Sequence, residues 1–89
     1  MAFVIFRSKV ESFAKWKSIY DSNKEFRRNA GLKSDRAFQS KDDPNELVIL
    51  FEWDSLERAK QFANSPELRE RMQQAGVIGK PEVLFLEEV

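Results

Sequence analysis

The chain carries the run Glu46-Leu47-Val48-Ile49-Leu50-Phe51-Glu52-Trp53-Asp54, its most hydrophobic stretch. In a strand, Leu47, Ile49, Phe51 and Trp53 point one way, Val48 and Leu50 the other, with Glu46 and Glu52 at the ends. A sheet with water on one side needs only one apolar face, so this strand asks for cover on both. The source of the second cover is the main question the sequence raises.

The 89 residues suffice for one domain spanning 1–89, with a modest core. Fifteen basic residues balance fifteen acidic ones, which argues against a dedicated binder of nucleic acid or anionic membrane. Eight Phe, two Trp and one Tyr suit either a dense core or an aromatic-lined pocket. There is no Cys and no His. Disulfides, thiolate zinc sites, Cys nucleophiles, His triads and a proximal-His haem are therefore excluded, and no other metal-ligand pattern stands out. The opening apolar run is too short for a signal peptide, and nothing approaches the roughly 20 residues of a membrane span. A cytoplasmic protein is the expectation.

Outward from the central run, residues 2–8 read as a second strand that is apolar on both faces, with Phe3 and Ile5 opposed to Val4 and Phe6. Ser8 and Glu11 have the form of a capping box, and a helix is expected over 10–30. Phe13, Trp16, Ile19, Tyr20, Phe26 and Ala30 share one arc of roughly 140° on its wheel, and Gly31 closes it. Two polar residues, Asn23 and Arg27, fall inside that arc. Residues 32–40 form a polar strand suited to a sheet edge, and Lys41-Asp42-Asp43-Pro44-Asn45 connects it to the central run as a hairpin. Asp54 with Glu57 forms a second capping-box pattern before a short helix. Ser65-Pro66 starts a fresh helical turn, ended by Gly76. Gly79-Lys80-Pro81 is expected to turn the chain into a last strand over 82–88.

The order β-α-β-β-α-β is that of a ferredoxin-like α+β two-layer sandwich, a four-stranded antiparallel sheet with two helices on one face. The first and third strands, the most apolar, take its centre. Two helices cover one face, and the other would expose more apolar surface than a soluble monomer tolerates. A second copy packed sheet to sheet is the natural remedy, so a homodimer is expected.

Across nearly its whole length the chain resembles the dimeric α+β barrel proteins, in particular the small antibiotic-biosynthesis-monooxygenase-like and cyclase-like proteins. The resemblance rests on Phe13-Ala14-Lys15-Trp16-Lys17, Gly31-Leu32-Lys33-Ser34, Asp42-Asp43-Pro44-Asn45-Glu46 leading into Val48 to Asp54, and Ser65-Pro66-Glu67-Leu68-Arg69 through Ala75-Gly76-Val77-Ile78-Gly79 to Pro81-Glu82-Val83. It implies a homodimer, with chemistry in the wider group that includes cofactor-independent oxygenation of polycyclic aromatics and haem degradation by Asn, Trp and His. The missing His weakens the haem reading. In cofactor-independent oxygenation an electron-rich substrate reacts with oxygen itself, and the site supplies shape, desolvation and hydrogen-bond donors.

Trp16, Tyr20, Asn23 and Arg27 follow at spacings of four, three and four, one stripe of the first helix. Facing the sheet, they would line a substrate-binding cleft in which aromatic faces stack a planar ligand and Arg27 and Asn23 orient an enolate, phenolate or carboxylate. Trp53 would complete the wall. The competing reading makes Trp16 and Tyr20 core, pairs Arg27 with a strand carboxylate such as Glu52, and has Asn23 cap a kink or bind water. Burial of Asn23 and Arg27 requires partners either way. No catalytic residue is singled out. Glu52 as a general base competes with the more ordinary role of a rim salt bridge. The function expected is cofactor-free oxygenation or cyclisation of an aromatic small molecule, with a non-catalytic small-molecule-binding or interaction protein as the alternative.

Overall fold

The computed structural model describes residues 2–89. Eight elements follow in order: β1 (Ala2–Val10), α1 (Phe13–Ser22), α2 (Lys24–Asn29), β2 (Leu32–Gln39), β3 (Glu46–Trp53), α3 (Leu56–Ala63), α4 (Pro66–Gln74) and β4 (Val77–Glu87). The strands form one antiparallel sheet in the order β2-β3-β1-β4. This is the α+β ferredoxin-like arrangement expected from the sequence, with the central run on an inner strand and each helical segment divided in two.

The alternation in β3 decides which face meets the helices. Leu47, Ile49, Phe51 and Trp53 are buried, while Val48 and Leu50 are half-buried. Val4 opposite Phe51 and Phe6 opposite Ile49 extend the inner face onto β1. Phe62 of α3 is its hub: its ring lies 4.8 Å from Trp53, 5.6 Å from Phe26 and 6.3 Å from Phe51, centroid to centroid. Such aromatic pairs contribute roughly 0.5–1.5 kcal/mol each beyond the area they bury.

Besides a break within the first helix, three boundaries depart from the sequence expectation, two of them because long-range pairing overrides a local signal. β1 runs on to Val10, which pairs with Val77 and donates its N–H to the Asn45 carbonyl at 2.9 Å. Ser8 is therefore held in a strand and caps nothing. The cap of α1 is Ser12, whose Oγ accepts from the Lys15 N–H at 3.4 Å, and Asn45 Oδ1 takes the Phe13 N–H at 3.2 Å. Likewise Ser55, not Asp54, caps α3 by accepting from the Arg58 N–H, leaving Asp54 to pair with the Arg58 guanidinium at 3.0 Å. The start of α4 at Ser65-Pro66 is as expected.

The third departure is β4, which begins at Val77 rather than near residue 82. Lys9 pairs with Ile78 and Arg7 with Glu82, so Gly79, Lys80 and Pro81 all stand opposite Ser8. Glycine at φ +69° and a proline without an N–H mark a bulge inside one continuous strand. A bulge and a turn use the same residue types, and only the pairing partner tells them apart.

Candidate functional site

The long helical arc expected over 10–30 is broken at Asn23, which has φ −98° and ψ 17° and ends α1 while opening α2. The break keeps Trp16 and Tyr20 of α1 and Phe26 and Arg27 of α2 turned toward the sheet. Trp16 and Tyr20 stack at 4.6 Å with 21° between their planes. Beneath them lies a cavity of about 70 Å³, walled by the Trp16–Tyr20–Asn23–Arg27 stripe, by Phe6, Ile49 and Phe51 of the sheet, and by Arg71 and Met72 of α4. In this conformation it has room for a few waters and is well below the roughly 300–1,000 Å³ of a drug-sized ligand site.

Four of the five residues singled out from the sequence thus meet at one cavity. Trp53 does not. It is fully buried against Phe62 and Phe51 at the far end of β3, with its indole N–H unpaired among the described residues.

Arg27 is the site's most constrained group, only 5% exposed. Its Nη1 donates to the Tyr20 carbonyl at 2.7 Å, its Nη2 lies 3.8 Å from Asp35 Oδ2, and its guanidinium sits 3.7 Å above the Tyr20 ring centroid. Its Nε is buried without a partner among the described residues. The strand carboxylate is Asp35, not Glu52. Glu52 lies on the outer parity of β3 and accepts from Ser34 Oγ at 3.2 Å, whereas Asp35 stands opposite the inward Phe51.

Tyr20 Oη donates to Asp35 Oδ2. Burial, and then this hydrogen bond to a carboxylate, push the Tyr20 phenol well above its ordinary pKa. It is a neutral donor across the physiological range. Asn23 Oδ1 accepts from Arg71 Nη1, and the Arg71 guanidinium lies 4.0 Å over the Phe26 ring.

Sequence reasoning missed Asp35 and Arg71. Arg71 had a signal, since Leu68, Arg71, Met72 and Ala75 fall at spacings of three, one and three, one stripe of a helix. Asp35 had one too, as the acid on the inward parity of a polar strand. Together the site offers stacking faces, a phenol and two guanidinium groups, which suits it to orienting a planar, oxygen-bearing molecule.

The family model of the antibiotic biosynthesis monooxygenases matches residues 1–74. Among solved structures, the cofactor-independent oxygenase SnoaB from Streptomyces nogalater superposes with a TM-score of 0.80 at 14% identity, covering 99% of this chain and 92% of that one. An antibiotic biosynthesis monooxygenase gives 0.77 at 17% identity over 100% and 99%. A conserved protein from Methanosarcina mazei gives 0.77 at 17% over 99% and 92%. No curated protein matches the chain. At these identities the structures speak for the fold alone, whereas the family model spans most of the sequence: the chain belongs to the antibiotic biosynthesis monooxygenase family.

Proposed function

We propose that the chain acts as a single-domain, cytoplasmic, homodimeric monooxygenase that needs no cofactor and takes a planar, oxygen-bearing aromatic substrate between its helices and sheet. The observation that carries this reading is Arg27: a buried guanidinium whose Nε has no partner, beside the stacked Trp16–Tyr20 pair. Leaving a buried donor unpaired costs about 1–3 kcal/mol, a cost that a substrate phenolate or enolate oxygen would remove. Tyr20, held neutral, keeps its proton and serves as a wall and a fixed dipole rather than as a base. The electron-rich ring carbon of the bound anion then reduces oxygen, the two radicals join through a new C–O bond, and the resulting peroxide loses water. In balance, one ring methylene (the keto form of the phenol) and one dioxygen give one carbonyl and one water. Both electron pairs come from the two C–H bonds of that methylene. One oxygen atom ends in the product and the other in the water. Cyclisation of a polyketide-like substrate would use the same oxyanion stabilisation.

The dimer is inferred from the open sheet face. Phe38, Leu84 and Leu86 are 47%, 54% and 41% exposed there, beside the outward Ile5 and Val48. Phe38 pairs with Val48, Leu50 with Ile5, Ile5 with Leu84 and Phe3 with Leu86, so an apolar patch crosses the sheet, and a two-fold partner would cover it. Sedimentation as a stable monomer at micromolar concentration would remove that part of the proposal.

Binding without turnover is the second reading, favoured by one feature. Asp35, the acid beside the stripe, already holds Tyr20 and faces Arg27, which leaves no unengaged base. Oxygen consumption with electron-rich naphthols and quinols, in chelator-treated buffer, separates the two. Turnover that is lost in Arg27→Met and Trp16→Phe supports the oxygenase. Tight binding with no oxygen uptake across the panel supports the binder.

A further inference from the structure

The Asn23–Arg71 contact is unusual for the residues that make it. Asn23 occupies the N-cap of α2, where an asparagine side chain ordinarily accepts from the first N–H groups of its own helix. It makes no such bond. Its Oδ1 turns instead to Arg71 of α4, 48 residues along the chain. Among the described residues this is the one side-chain hydrogen bond joining the first helical pair to the second.

Arg71 is equally short of partners. It has five N–H donors, yet its contacts are one neutral amide oxygen and the face of Phe26. No carboxylate of the described residues lies within ion-pair reach of it. The helix that carries it is the only one of the four that buries no residue. Its inward Leu68 and Met72 are only partly covered. The cavity beneath holds about 70 Å³, so an aromatic ligand enters only if a wall moves, and α4 is the wall held by the least burial.

We propose that the Asn23–Arg71 pair is a ligand-operated latch. α4 lifts as the pair parts, and Arg71 passes its hydrogen bond from the Asn23 amide to an anionic oxygen of the ligand. Arg27 and Arg71 face the site with one acid, Asp35, beside them. The site therefore selects aromatic carboxylates and phenolates over neutral molecules of the same shape. The latch rests on the reading of the cavity as the ligand site.

The test uses two probes, 2-naphthoate and its neutral isostere 2-naphthylmethanol, titrated calorimetrically into the intact protein. Wild type is expected to prefer naphthoate by about tenfold, the worth of one charge-assisted hydrogen bond at a partly exposed site. Arg71→Gln should cut that preference several-fold, the neutral probe itself binding more tightly once Asn23 no longer restrains α4, and Arg71→Lys should keep part of it. Asn23→Ala leaves Arg71 in place and removes only its restraint. It should bind naphthoate more tightly, because less opening cost is taken from the binding energy, and should speed amide exchange across residues 66–74. An undiminished naphthoate preference in Arg71→Gln overturns the latch and leaves the cavity reading standing. Unchanged exchange over 66–74 in Asn23→Ala also overturns it. Failure of wild type to bind either probe overturns both readings. Circular dichroism of each variant identifies any that fail to fold, and the Asn23 and Arg71 substitutions test the latch independently of each other.

Discussion

Replacing Arg27 by Met separates what the site needs from what the fold needs. The substitution removes the charge-assisted bond from Nη1 to the Tyr20 carbonyl, at 2.7 Å, for a loss of about 1.5–3 kcal/mol. It also removes the cation above the Tyr20 ring, roughly 0.5–2 kcal/mol more. Against this, the guanidinium no longer has to be stripped of water, a cost of several kcal/mol for a buried ion, and the orphaned Nε disappears, worth about 1–3 kcal/mol. The groups left behind keep partners: the Tyr20 carbonyl still accepts the Asn23 N–H at 3.2 Å, and Asp35 still accepts from Tyr20 Oη and is 28% exposed. Breaking this pair therefore strands no buried charge. The two sides nearly cancel, and Arg27→Met should fall within about 1.5 kcal/mol of wild type in urea unfolding, at fixed protomer concentration because a dimer's midpoint depends on it. Turnover or ligand binding should fall by about 100-fold or more, the scale set by removing one fixed oxyanion donor. A destabilisation beyond about 3 kcal/mol would refute the argument and make Arg27 a structural group. So would full activity in a folded variant.

Other outcomes follow from single contacts. The raised Tyr20 pKa predicts alkaline sensitivity: below about pH 10 both folded and unfolded chains hold the phenol proton. Above it only the unfolded chain releases it, so stability falls by up to about 1.4 kcal/mol per pH unit. Tyr20→Phe should flatten that slope relative to wild type between pH 9 and 11, and parallel slopes would dissociate Tyr20 from it. Ser12→Ala should cost about 1 kcal/mol as the loss of a helix cap, and Ser8→Ala distinctly less; the reverse order in thermal melts would place the helix start at the earlier serine. Phe62→Ala, at the meeting point of three other aromatic rings, should cost about 3–5 kcal/mol, read by chemical denaturation. Leu84→Glu should yield a folded monomer by sedimentation velocity, while an intact dimer would move the interface off the open sheet face.

The fold was legible because a period-two pattern that is apolar on both faces has few homes in a short chain. Leu47 to Trp53 had to lie centrally, and the polar 32–40 segment had to lie at an edge. Boundaries were less legible because caps compete with pairing. Ser8, with Glu11 three residues on, carries the capping-box pattern, and what overrides it is Val77 and Asn45, residues remote in sequence that hold Val10 in the sheet. Gly79-Lys80-Pro81 failed for the same reason. Its residue types permit a turn or a bulge, and the register against Ser8 selects the bulge.

The site divides along the same line. Trp16, Tyr20, Asn23 and Arg27 lie on one helical stripe, and stripe spacing is local information, so their convergence could be read without knowing the sheet. Trp53 shares the inward parity with Ile49 but lies four residues further along β3, about 13 Å at the usual strand rise. Parity fixes the face and leaves the position along the strand open. Asp35 and Arg71 are the reverse case. Each is an ordinary surface residue type, and each acquires its partner only by packing: Asp35 once α1 and α2 lie on the inward sheet face, Arg71 once α4 lies beside Asn23. The residues that take part through their own element stood out in the sequence, and those that take part through packing of one element on another left only a stripe or a parity as their mark. Asn23 belongs to both groups. Its place in the stripe was visible, whereas its partner was not, and it is the partner that turns a helix break into a contact spanning the cavity.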